Sequence, residues 1–330
     1  FQLKNSFIQA IIIYYTHRGE TLRSEKLLLD LGGTNLRVGY GNDENLTIRD
    51  VSKVRVDSNE DIFKVVNNSI NENNISEVIF SAAGPRIDNK ISMTNRSLDL
   101  DGDLLANELK IKNCFLLNDW ESIGYSLPLM TAEDISTVKD GDIRSYQTSI
   151  AIGPGTGLGF SLLTYVDGKP HIHATELGNT RSRNPYLADA FKITNTQDFK
   201  VLEDYISGTG LRKIYKSRTG EEKTAEEILS SYDSEKYSKE IVDTFVVSFS
   251  TILADLSLSF MATGGVYFAG SLMRSLTKMS CIELMEKSFK NHPSKTHSDI
   301  LERIPLYVIH KEHTPLYGNL NYSKLRRVHD

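Results

Sequence analysis

Apolar and polar positions along the 330-residue chain alternate in two rounds of similar design. The first opens on an apolar run of strand length at residues 26–31, followed by a two-glycine turn. "LRVGYGN" and "LTIRDVSKVRV" then alternate with a period of two, which predicts a β-meander. The period next lengthens: in "NEDIFKVVNNSINENN", Ile62, Phe63, Val65, Val66 and Ile70 share a helical stripe, and "SEVIFSAAGP" is a strand closed by a Gly-Pro turn. A further strand runs through Cys114 to Leu117. It ends in Asn118-Asp119 ahead of a predicted helix, at the carboxyl end where open α/β sheets gather their ligands.

The second round begins with "TSIAIGPGTGLGFSLLTYVDGKPHIHA", which reads as strand, glycine turn, strand, Asp-Gly turn, strand. "YSKEIVDTFVVSFSTILADLSLSFMATGG" is the longest helical segment and is apolar around much of its circumference, so it is expected to be mostly buried. "GVYFAGSL" and "IPLYVIHKE" predict strands, and "NLNYSKLRRV" a last helix. Two β-rich rounds, each followed by helices, predict an α/β protein of two lobes with a cleft between them. Residues 1–25 stand apart. Their run "FIQAIIIYY" is shorter than the roughly 20 residues of a membrane span and has no small-residue cleavage site after it, so it is read as a packed helix or strand, or as an extension.

Composition narrows the function classes. A hydrophobic content of 39% suits a globular core, and a net charge of −5 with scattered Lys and Arg offers no basic field for nucleic acid. Two distant cysteines, Cys114 and Cys281, make neither a zinc cage nor a disulfide framework, so the expectation is two core thiols in a reducing cytoplasm. His171 and His173 share one strand face but lack a third ligand, and zinc is rejected.

The candidate chemistry lies in the turns. In "DLGGTN", Gly32 and Gly33 let a ligand approach the backbone, Thr34 and Asn35 add donors, and Asp30 can hold a metal through water. By itself such a turn is equally well a hairpin. "GPGTGLG", with Gly155, Thr156 and Gly157 at its tip, is a second one, and the pair favours a nucleotide's phosphates. No G-x-x-x-x-G-K-S/T run exists, the second turn does not fit G-x-G-x-x-G, and protein-kinase catalytic motifs are missing. Asp119 is the candidate general base, with a helix N-cap as its bland alternative. Glu176 and Glu203 adjoin turn residues, where a solvated charge is the ordinary reading.

"LLLDLGGTNLRVGY", "SAAGPRIDNKISMTNRSLDLD", "LLNDWESIGYSLPLM", "AIGPGTGLGFSLL", "LEDYISGTGLRKIY" and "GGVYFAGSLM" together resemble, in order, the signature segments of the bacterial glucokinase family. The resemblance runs from about Lys26 to the C-terminus. It implies the two-lobed actin-like ATPase (ribonuclease H-like) fold with its active site in the interlobe cleft. The smaller lobe would span residues 26–113, completed by a C-terminal helix at about 315–330, and the larger lobe 114–314.

It further implies transfer of the ATP γ-phosphoryl group to the 6-hydroxyl of glucose, an entry step to glycolysis, in the cytoplasm. Asp119 would be the base. Asn95, Asn118, Asp119, Glu176, Asn179 and Glu203 would hold the sugar. ATP would rest on Asp30, Gly32, Gly33, Thr34, Asn35, Gly155, Thr156 and Gly157, with Gly264, Gly265 and Gly270 lining the adenosine pocket. Mg2+ would ride on ATP, reached by Asp30 rather than by a protein cage. A homodimer is implied, and no nucleic-acid or membrane partner. The chain departs from the family at Glu176-Leu177-Gly178-Asn179, where Glu-Gly-Gly-His is usual, and at Leu98, where tryptophan is usual. The lost histidine motivates one alternative, a kinase for mannose or an amino sugar; a second, of a different class, is a non-catalytic sugar/ATP sensor of the same fold, against which Asp119 and both glycine loops argue.

Overall fold

The computed structural model describes residues 25–73, 75, 77–93, 98–142 and 144–327, which divide into two compact units. Unit 1 holds the described residues up to 129 and those from 313 onward. It opens with β1 (Glu25–Leu31), β2 (Asn35–Asn42), β3 (Thr47–Arg55), α1 (Asn59–Asn73) and β4 (Glu77–Ala82). A small sheet of β5 (Arg86–Ile87), β6 (Lys90–Ser92) and β7 (Asp99–Asp101) follows, then α2 (Gly102–Leu109), β8 (Asn113–Asn118) and α3 (Asp119–Ser126). The main sheet has the order β3-β2-β1-β4-β8, antiparallel through β1 and parallel from β1 to β8.

The central strand β1 reads as a continuous apolar run because both of its faces are covered. Leu27, Leu29 and Leu31 pack with Val78, Phe80 and residues of α1 and α2. Leu28 points the other way, to a cluster with Ile79, Leu117 and two leucines of the last helix, α11 (Thr314–Arg327): Leu316 and Leu320. That helix also crosses α3 closely. A Cβ on Gly318 would lie 1.6 Å from the Ser122 carbonyl oxygen, so only glycine permits the crossing. The boundary between units falls at 129/130, not at the expected 113/114. The physical reason is register: β8 pairs residue for residue with β4, from Glu77↔Asn113 to Ala82↔Asn118, and carries α3 with it into unit 1.

Unit 2 spans Met130–Glu312. Its elements are β9 (Ile135–Lys139), β10 (Ser149–Pro154), β11 (Leu158–Val166), β12 (Lys169–Ala174), α4 (Asn184–Ala190), α5 (Gly208–Thr219), α6 (Ala225–Ser230), α7 (Lys236–Ser259), β13 (Val266–Phe268), α8 (Ser271–Leu276), α9 (Ile282–Lys290), α10 (Lys295–Arg303) and β14 (Leu306–Ile309). The sheet order β12-β11-β10-β13-β14 repeats that of unit 1, with β9 added antiparallel beside β14. Helix α7 has the length and hydropathy of a membrane span, yet its Phe245, Phe249 and Leu253 are fully buried in the unit's core against Ile152 and Phe268. Both cysteines are buried thiols, and burial pushes Cys114 up to about 12 and Cys281 to about 11, so neither is ionised at neutral pH.

Candidate active site

In unit 1, three neighbouring strands end level with one another: Leu31 pairs with Ala82, and Ala82 with Asn118. At this carboxyl edge the hairpin from β1 to β2 turns through four residues, closed by Gly32 N–H donating to the Asn35 carbonyl at 3.0 Å. Gly33 and Thr34 are exposed. A Cβ added at Gly33 would meet nothing within 4 Å, so the fold has no steric need for glycine there and the open space faces solvent. Asp30, 4% exposed, is ion-paired to Arg37 of β2 and accepts a 3.4 Å contact from the Ser81 hydroxyl. Burial raises its pKa, while the Arg37 charge opposes that rise.

Two strands away, Asn118 caps α3. Its Oδ1 accepts from Trp120 N–H at 2.9 Å and Glu121 N–H at 3.2 Å, and its Nδ2 donates to the Gly84 carbonyl at 2.8 Å. Three of its four hydrogen-bonding positions are therefore spent inside the fold. The N-cap role open to Asp119 belongs instead to Asn118; Asp119 is the first helical residue and half-buried. The cap is held from behind. Glu121, 1% exposed, takes a two-pronged ion pair from Arg86 at 2.8 and 2.9 Å; burial raises its pKa and Arg86 pulls it back.

In unit 2 the corresponding hairpin, β10 to β11, turns through Gly155, Thr156 and Gly157, with Gly155 N–H donating to the Gly157 carbonyl at 2.8 Å. Gly155 and Thr156 are exposed, and a Cβ at Gly155 would also meet nothing. Behind the loop, Glu203 Oε2 accepts from Leu158 N–H at 3.0 Å. Gly208 N–H donates to the Gly155 carbonyl at 2.8 Å, so α5 starts against the loop with Ser207 as its N-cap. Nearby, Leu177–Asn179 forms a 3-10 turn in which Asn179 Nδ2 donates to Glu176 Oε2 at 3.0 Å, both side chains exposed. Gly270, with a φ of +103, opens α8 one residue after Ala269, whose N–H bonds the Ile152 carbonyl of β10.

A family model described as Glucokinase matches residues 27–325. The chain belongs to the glucokinase family. A glucokinase of Rhizobium johnstonii is 24% identical over 315 residues, covering 91% of each chain, and one of Colwellia psychrerythraea is 25% identical over 316 residues, covering 90% of this chain and 95% of its own. Among solved structures, a glucokinase from an Antarctic psychrotroph superposes with a TM-score of 0.74 at 17% identity, over 91% of this chain and 98% of that one. A glucokinase from Balamuthia mandrillaris, solved with glucose, gives 0.74 at 18% identity over 92% and 94%. The fold is that of the two-lobed actin-like ATPases.

Within this glucokinase-family chain, the described residues assemble the expected positions in two groups. Asp30, Gly32, Gly33, Thr34, Asn35, Asn118 and Asp119 share the carboxyl edge of the unit 1 sheet. Gly155, Thr156, Gly157, Glu203 and, beside Glu203, the Glu176–Asn179 turn form the second group, in unit 2. Asn95 lies outside the described residues.

Gly264 and Gly265 require correction. They precede β13 and bond Thr148 and Ile150 at the amino end of β10, the opposite edge of the sheet from Gly155. A Cβ on Gly264 would lie 2.4 Å from Ser149 Oγ, and Gly265 needs a φ of +108; both serve chain packing and not a ligand at the loop. Sequence reasoning missed Arg86, Glu121 and Ser81, which hold Asn118 and Asp30. Asn118-x-x-Glu121 is a capping-box spacing and was readable; the Arg86 and Ser81 contacts span 35 and 51 residues and left no local signal.

Proposed function

We propose that this chain is an ATP-dependent hexose kinase that passes the γ-phosphoryl group of ATP to the 6-hydroxyl of glucose, with Asp119 as general base. The observation that carries it is the shared carboxyl edge in unit 1. Strands about 4.8 Å apart set the Gly32–Asn35 loop and Asp119 roughly 10 Å from each other, room for a phosphate chain ending at an acceptor hydroxyl. In this reading the loop's N–H groups and Thr34 hold phosphate oxygens, and Gly155–Gly157 of unit 2 is a second loop of the same kind. Asp119 accepts the hydroxyl proton as the oxygen attacks in line. Family membership supports the same chemistry.

Among the described residues no three His, Cys, Asp or Glu side chains group as a metal cage. One buried carboxylate, Asp30, backed by an arginine, suits a cation that keeps its waters and rides on nucleotide phosphates, as Mg2+ does. Bound there, Mg2+ would supply charge neutralisation to the phosphates. Two buried, unpaired thiols support a reducing, cytoplasmic setting.

The second reading, a kinase for mannose or an amino sugar, rests on Asn179 in place of histidine. A coupled ADP-release assay over glucose, mannose and glucosamine separates the two, and no turnover with any sugar would leave the sensor. With Asp119→Ala, turnover should fall roughly 10²-fold or more while both ligands still bind calorimetrically. Near-normal turnover in that variant would overturn the base assignment.

A further inference from the structure

We infer that Arg86 and Glu121 are positioning residues for the phosphoryl transfer: their ion pair sets where the first turn of α3 holds the proposed base, Asp119. The inference rests on the proposed sugar kinase reading. Helix α3 has only eight residues, too few to be stable alone, so the place of its first turn depends on what grips it. The grip comes from the small sheet, along the edge of β8 that pairs with no other strand of the main sheet. Asn89, in the turn between β5 and β6, donates to the Cys114 carbonyl at 2.9 Å and accepts the Leu116 N–H at 2.9 Å. Past the end of β8 the seam continues: the Gly84 carbonyl takes Asn118 Nδ2, and Arg86 takes Glu121.

The last contact is the one that bears on Asp119 from both sides. Arg86 reaches in from β5, whose two residues are exposed, and its Nη1 donates to the Asp88 carbonyl at 2.7 Å, which fixes the guanidinium to its own hairpin. Nε and Nη2 then hold both oxygens of Glu121, and Oε2 also accepts the Asn118 N–H at 3.3 Å. One planar group thereby ties residues 118 and 121, which flank Asp119 in the helix's first turn. A buried pair of this kind contributes little net stability, because desolvation offsets its attraction; what it supplies here is a direction. The backbone behind it has no slack. A Cβ on Gly84 would lie 2.3 Å from the Ser92 carbonyl oxygen, so the segment leading to Arg86 is pressed directly on β6. A general base must stand within hydrogen-bond reach of the proton it takes, and a shift of about 1 Å is enough to cost turnover.

The test is steady-state ADP release with whichever of glucose, mannose and glucosamine the wild type uses best, with melting temperatures recorded alongside. Arg86→Met should lower kcat roughly 10- to 100-fold while KM for ATP changes by less than about 3-fold. Arg86→Lys keeps the charge but cannot hold both oxygens in one plane, and should fall between the wild type and Arg86→Met. Glu121→Gln, which keeps length and one acceptor, should retain more of kcat than Glu121→Ala.

The deciding measurement pairs the anchor with the base. Once the Asp119 carboxylate is gone there is nothing left to position, so in an Asp119→Ala background Arg86→Met should change kcat by a factor near one. Where Arg86→Met does not fold, Arg86→Lys in the same two backgrounds decides the question. An equal factor with and without Asp119, or a kcat untouched by the Arg86 variants, overturns the inference while leaving the kinase reading intact. A wild-type chain that turns over none of the three sugars overturns the kinase reading instead.

Discussion

Asn179 stands where the family pattern has a histidine, and the structure removes one account of it. Its φ is not positive, so it is not there as a left-handed turn residue; it ends a 3-10 turn and donates to Glu176. The same Glu176 would accept sugar hydroxyls, so Asn179 trims what Glu176 can offer. Asn179→His should raise kcat/KM for glucose relative to mannose and glucosamine by a factor that reflects one hydrogen bond, about 0.5–1.5 kcal/mol. Unchanged ratios among the three sugars would take Asn179 out of the site. The two glycine hairpins were legible because a tight turn between two strands announces itself locally. Roles that depend on the packing behind a residue were not: Gly264 and Gly265 look like Gly155 in the sequence, and only the parallel register of β13 on β10 shows that they sit at the other edge.

Among elements, the strands were the most readable, since β1, β2, β4, β8, β10 and β11 carry apolar runs or clean alternation. Helices α4, α5 and α6 carried no prediction. They are short and surrounded by polar sequence, and their burial comes from packing on α7, which no local period reveals. The join between α5, α6 and α7 makes its own prediction. Glu235, just ahead of α7, binds Lys223, the Tyr215 hydroxyl and Ser238, which hold its pKa down to about 2. A carboxylate depressed on folding stabilises the fold above its unfolded pKa of about 4.5, and that contribution is lost as pH falls toward 2. Melting temperatures of the wild type and Glu235→Gln should therefore differ most near neutral pH and converge between pH 4.5 and 2. A gap that stays constant across that window would contradict the linkage.

For the whole molecule, two β-rich rounds each opening on a strand-glycine turn-strand unit were expected; the strand order that the two sheets share was not, and the division between the units falls sixteen residues from the expected one, because the apolar run of β8, taken alone, suits a place in either sheet. The last helix is what makes unit 1 whole. Gly318 lets it cross α3, whose first turn carries Asp119, and Asn319 Nδ2 reaches the Leu29 carbonyl at 2.8 Å and Ser81 Oγ at 3.2 Å, next to Asp30. Gly318→Ala should destabilise the protein by about 3 kcal/mol or more, since its Cβ meets backbone that cannot move aside alone. Of the enzyme that still folds, kcat should fall further than either KM rises, because the change displaces the helix that carries the proposed base. A variant with the wild-type melting temperature would contradict the crossing.

The return of the chain to unit 1 also sets an order of events at the ribosome. Unit 2 is one unbroken stretch and can close soon after its last strand leaves the exit tunnel, whereas the sheet laid down first must wait, with Leu28, Ile79 and Leu117 uncovered on one face, until Leu316 and Leu320 arrive. The unit synthesised first is the one completed last. During that interval its uncovered leucines are open to wrong partners, and the strand edge that carries Asp119 stays incomplete with them.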